Sequence, residues 1–171
     1  MSIAPIATVV GLLLLSSCAS HIRDWRQAEY GGLSFEDLWA ISQDAMTRGM
    51  GFRVDAGETD RGKRILVSRW RVRHHGFKPS ERVRLRIEIL AGEEDEAAFL
   101  LRYYAEREIV DDPAKRLHPE EEDWGAGGQD RSCEEIFDYQ MRSRIAMHKG
   151  EGVPSLEGTR PEDPMNRLIG K

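Results

Sequence analysis

Between Glu81 and Leu90 charged and apolar side chains alternate. Val83, Leu85, Ile87 and Ile89 fall on one side of the run, and Arg82, Arg84, Arg86 and Glu88 on the other. A period of two belongs to a strand with one face on a core and one toward water, and a helix cannot carry it. Three more stretches read as strands: Gly51 to Ala56, Arg64 to Arg73, and Ala97 to Val110, where Phe99, Leu101, Tyr103 and Ala105 face one way. Alternation in the second is expected to set Leu66, Trp70 and Val72 against Arg69, Arg71 and Arg73. Asp60-Arg61-Gly62 reads as a turn, and Ala91 to Glu96 as an acidic turn. Strands buried on one face only make an antiparallel sheet.

Two helices flank these strands. Ser34 reads as an N-cap with Asp37 three residues on, and Phe35, Leu38, Trp39, Ser42, Ala45 and Met46 recur at helical spacing until Gly49 and Gly51. The second helix is expected from Ser132, with Glu135 at capping-box spacing and an apolar stripe of Cys133, Ile136, Phe137, Met141 and Ile145. His21 to Leu33 reads as a spacer, and Asp111 to Arg131 as an acidic, Gly-containing connection. Residues 149–171, with Pro154, Pro161 and Pro164, read as a disordered tail. The expectation is one α+β domain over 34–148: a four-stranded antiparallel sheet with two amphipathic helices on one face.

Charge is distributed unevenly. Arg61 to Arg86 holds ten Lys or Arg and one acid, whereas Ile87 to Asp138 holds 17 acids and five bases. Arg69, Arg71, Arg73, Arg82, Arg84 and Arg86 are expected on one face of two neighbouring strands. Like charges opposed across a ladder are destabilising. Either acids of this chain, such as Glu106, Glu108 or the acidic loop, neutralise them, or an anionic partner does.

Other chemistry is sparse. His74 and His75 are adjacent and point apart on a strand, and the chain has neither Cys-x-x-Cys nor His-x-x-x-His, so no metal or cofactor is expected. Cys133 sits at a helix start, which favours a thiolate, and on an apolar stripe, which favours a buried structural thiol. Glu106 and Glu108 share a strand face and could form an acid–base pair. The run Glu120-Glu121-Glu122-Asp123 lacks the spacing of a calcium loop. Gly125-Ala126-Gly127-Gly128 lacks the preceding strand and following Lys-Ser/Thr of a phosphate loop.

Ile3 to Leu15 is apolar apart from Thr8, and is too short to cross a bilayer as a helix. It ends at Leu15-Ser16-Ser17-Cys18, which resembles the lipobox of bacterial lipoproteins. The resemblance implies a signal peptide over 1–17, a lipid-bearing Cys18 such as a palmitoylated one, and a spacer over 18–33. Ala19 implies the outer membrane, facing the periplasm, in a Gram-negative source. Acylation leaves Cys133 as the only free thiol; the alternative, a Cys18–Cys133 bridge, requires the lipobox to be false. The element order, with Gly51-Phe52-Arg53-Val54 and Ile65-Leu66-Val67-Ser68-Arg69-Trp70, resembles the helix-grip-type domains of envelope lipoproteins, among them a lipoprotein of the outer-membrane β-barrel assembly machinery. The expected function is a membrane-anchored, non-enzymatic binding or scaffold module of the cell envelope, with envelope proteins or anionic polymers as partners and no nucleic acid. The alternative is an envelope hydrolase with a carboxylate or Cys site.

Overall fold

The computed structural model describes residues 23–73, 79–91 and 98–152. Six strands form one antiparallel sheet: β1 (Arg26–Gly31), β2 (Ile65–Val67), β3 (Arg71–Arg73), β4 (Ser80–Ala91), β5 (Ala98–Val110) and β6 (Gly125–Gln129). The sheet is nevertheless four strands wide. The long pair β4–β5 makes the middle, β1 and β6 share the outer edge of β5, and β2 and β3 share the outer edge of β4.

The expected four-strand sheet is therefore corrected at four places, the first being Arg64–Arg73, read as one strand but divided into β2 and β3. β1 lies inside the segment read as a spacer, and β6 inside the acidic connection. β6 reads GAGGQ, which carries no apolar alternation, and it pairs because glycine lets it approach closely. A Cβ on Gly127 would meet the Ile109 side chain at 3.0 Å and the Arg107 carbonyl oxygen at 3.1 Å. The Gly51–Ala56 segment contributes only a bridge, Val54 to Ser68.

Alternation does hold through β4 and β5. Val83, Leu85, Ile87, Ile89, Leu101, Tyr103 and Ala105 are buried on the helix-covered face. Helix α1 (Phe35–Asp44) is capped by Ser34, whose hydroxyl oxygen accepts from the Asp37 amide at 3.1 Å. It continues into one π-helical turn, Ala45–Gly49. Leu38, Trp39, Ile41, Ala45 and Met46 enter the core, while Phe35 is only half-buried at its rim, 6.3 Å ring to ring from Phe99.

Helix α2 (Arg131–His148) begins earlier than expected, and its cap is Asp130, not Ser132. One Asp130 oxygen accepts from the Cys133 amide at 2.9 Å. Phe137, Met141 and Ile145 fill the core, but Ile136 is exposed. The fully buried neighbour at the helix start is Glu134, at 0% exposure. Its carboxylate accepts from the Ala105 amide, Gln129 and Arg131, each at 3.0 Å. The expectations for residues 1–22, His74-His75-Gly76 and 153–171 lie outside the described residues.

Phe137 touches Tyr103 edge to face at 4.9 Å and is fully buried. Phe137→Ala is expected to destabilise the protein by about 3–5 kcal/mol, the range for deleting a buried aromatic ring. Phe35→Ala should cost clearly less, because part of that ring is already wet. Chemical denaturation of the two variants measures the order, and equal losses would contradict this core.

Candidate functional site

The helix-free face of the sheet carries the charges. Register places Arg82 opposite Glu108, Arg84 opposite Glu106, and Glu88 opposite Arg102. Each opposition is an ion pair. Arg82 Nε donates to Glu108 at 2.6 Å, and both its terminal nitrogens grip Glu121 at 2.8 and 2.6 Å. Arg84 bonds Glu106 and Glu58, each at 2.8 Å. Glu88 accepts from Arg102 at 2.6 Å and from Arg86 at 3.0 Å. Cross-strand pairs of opposite sign stabilise a sheet where like signs would not. Burial alone would raise the Glu88 carboxyl, but the hydrogen bonds from Arg102 and Arg86 outweigh it and hold the group below its ordinary pKa.

Three tryptophans roof this ladder. The Arg82 guanidinium lies 4.6 Å from the Trp70 ring and 4.7 Å from the Trp124 ring. Arg84 also stacks on Trp70, and Arg102 on Trp25. Indole faces attract cations, and more strongly where water is excluded. The 111–124 connection folds over the same end: Ser80 donates to the Arg116 carbonyl at 2.7 Å, and Glu120 and Asp123 cap the short turn that presents Glu121.

The six arginines expected on one face are not together. β2 pairs with Val67 opposite Arg86, whereas β3 pairs with Arg71 opposite Val83. Four residues on the edge thus span three on β4, and this extra residue reverses the alternation. Trp70 turns to the ladder side. Arg71 and Arg73 fall on the side of Val83, where Arg73 bonds Asp130 at 2.5 Å and Glu81 at 3.4 Å. Arg71 stacks 4.2 Å over Phe52 and donates to the Met50 carbonyl. Arg69 is exposed and lies off the ladder, near Arg71.

The other candidates are also placed. Cys133 is buried, and burial pushes its thiol up to about 12, with Asp130 adding to the shift. Glu106 and Glu108 are committed to Arg84 and Arg82. Among the described residues no group of three or more His, Cys, Asp or Glu could hold a metal ion. Gly125–Gly128 is strand, and the Gly127 carbonyl accepts from Arg107 at 2.8 Å.

Two hollows open beside the ladder. One, of about 550 Å³, lies between Arg23, Trp25 and Tyr104 on one side and β6 on the other, with Glu106 and Glu108 in its wall. Trp25 meets Tyr104 edge to face at 4.6 Å there. The second, of about 320 Å³, lies among Phe52, Arg53, Arg69, Trp70, Arg71 and Val72. Reasoning from the sequence misses Arg53, Trp25 and Trp124, because nothing local tells which distant strand or loop will lie beside them.

Two outcomes follow. Arg82→Gln strands Glu108 and Glu121 on a crowded face, and should cost about 3 kcal/mol, the low end for breaking a buried pair because Glu121 is exposed. Denaturation of Arg82→Gln, Glu108→Gln and the double variant would expose the coupling as non-additivity; purely additive losses would refute it. Native Cys133 should resist thiol reagents at neutral pH and react once the chain unfolds. Its raised pKa favours the fold below pH 9, the ordinary thiol value, and that contribution should fall away between pH 9 and about 12.

No protein-family model matches the chain, and no curated protein matches it, so its function rests on the chemistry of these residues.

Proposed function

We propose that the chain is a lipid-anchored, non-enzymatic binding or scaffold module of the cell envelope, tethered through Cys18. In a Gram-negative source it is held at the outer membrane and faces the periplasm. The observation that carries the non-enzymatic part is the commitment of the open-face carboxylates. Glu106, Glu108, Glu88 and Glu121 each accept from a guanidinium. Arginine stays charged at any physiological pH, so these acids are structural partners and not proton carriers. A hydrolase built on these carboxylates or on Cys133 would need one of them free, or the thiol ionised.

The proposed anchor lies close in sequence to the folded body. Asp24 is already fixed: its amide donates to Gln129 at 3.0 Å and its carboxylate pairs with Arg131. Six residues of chain reach roughly 20 Å when fully extended, so an acylated Cys18 would hold the folded body against the membrane surface. No helix among the described residues is long and apolar enough to cross a membrane.

Intact-mass analysis of protein purified from its native membranes tests the proposal. The expected species begins at Cys18 and carries acyl chains, and Cys18→Ala abolishes both processing and membrane retention. A native N-terminus at Met1, or an unmodified Cys18 thiol, would overturn it.

A further inference from the structure

We propose that Arg53, Arg69 and Arg71 form a binding site for a phosphoryl group. This deepens the reading of the chain as a binding module by naming a ligand class. The bridge between Val54 and Ser68 sets two short segments antiparallel, and the Arg69 amide donates to the Arg53 carbonyl at 2.7 Å. Arg53 and Arg69 therefore stand directly opposite each other, with their side chains on the same side. Both are exposed, and no carboxylate of the described residues pairs with either. Elsewhere on the sheet the rule is the reverse, with Arg82, Arg84 and Arg102 each facing an acid. A like-charged pair directly across a ladder is destabilising unless something of opposite sign sits between.

The third guanidinium is already held in place. Arg71 lies over the Phe52 ring and donates to the Met50 carbonyl, which leaves its remaining N–H groups for another acceptor. Burial, then repulsion from Arg73, lowers the Arg71 pKa, so an anion nearby would relieve it. The three surround the hollow of about 320 Å³, which Phe52, Trp70 and Val72 wall with apolar surface. That volume sits at the small end of ligand sites, enough for a headgroup-sized anion. Three arginines around one hollow favour a dianion with several acceptor oxygens over a single carboxylate, because planar forks bind phosphate oxygens in pairs. The phosphoryl group could belong to a lipid headgroup or be free phosphate.

Calorimetric titration of the full chain in non-ionic detergent, with glycerol 3-phosphate and with inorganic phosphate, tests the site. Saturable binding is expected at low salt, weakening as salt screens exposed charges. The R53Q/R69Q variant should lose at least tenfold in affinity and melt no lower than wild type, since it removes a repulsion. R48Q/R61Q, which removes two exposed arginines elsewhere, should bind like wild type. Tighter binding of glycerol 3-phosphate than of phosphate identifies a headgroup-type ligand, and the reverse identifies free phosphate; both support the site. Wild-type protein that binds neither, full affinity in R53Q/R69Q, or an equal loss in R48Q/R61Q would overturn it. None of those results touches the anchored reading, which stands or falls on the mature N-terminus.

Discussion

The junction at Ala105 holds the two layers together. β5 is thirteen residues long, but β1 covers it only as far as Tyr103 and β6 starts at Glu106. The backbone between would be left unpaired inside the fold, at a cost of about 1–3 kcal/mol for each orphaned group. The start of α2 closes the gap. Glu134 accepts from the Ala105 amide, and the Asp130 amide donates to the Ala105 carbonyl. Glu134 also takes Arg131 and Gln129, and Gln129 in turn grips Asp24 ahead of β1. A single buried carboxylate thus ties the helix to β5 and, through Gln129, draws in both edge strands. This is why α2 is capped at Asp130 and not at Ser132.

The opposite face solves a different problem. A two-layer domain leaves one side of its sheet uncovered, and long strands there would expose backbone and apolar stems to water. Here opposite charges alternate across the β4–β5 register, and the stems of Arg82, Arg84 and Arg102 are covered by Trp70, Trp124 and Trp25. Arg82 is consequently only 7% exposed although fully charged. Long cationic side chains bury their alkyl stems while their heads remain paired. The three tryptophans come from segments far apart in the chain, so this thin outer layer knits the segment before β1 and the 111–124 connection to the sheet.

The extra residue between β2 and β3 separates structure from ligand chemistry. Without it, three more arginines would crowd the ladder. With it, Trp70 takes that side, Arg73 is diverted to Asp130 and Glu81, and Arg69 and Arg71 are directed to the hollow beside Arg53. One inserted residue therefore turns a stripe of six like charges into a neutralised ladder and a small basic hollow.

Much of this is legible in the residues themselves. The period-two pattern of Val83, Leu85, Ile87 and Ile89 is a property of consecutive residues, so it identifies β4 and its buried face unaided. The helical spacing of Leu38, Trp39 and Met46, and of Cys133, Phe137 and Met141, does the same for the helices, as does Ser34 for the first cap. β1 and β6 are not legible, because a short strand held by its neighbour's backbone, and in β6 by glycine's close approach, needs no side-chain pattern of its own. Glu134 is hidden for a similar reason: a buried carboxylate reads as a surface residue until the gap at Ala105 shows what it satisfies. Nor is the fate of the arginines visible, since a one-residue slip between β2 and β3 changes which face each side chain occupies. The order of residues is enough to say which are apolar, where the long strands and the helices run, and that acids and bases come in blocks. Register belongs to the folded chain, and register sets which charges meet, because a strand's side chains change face with every residue.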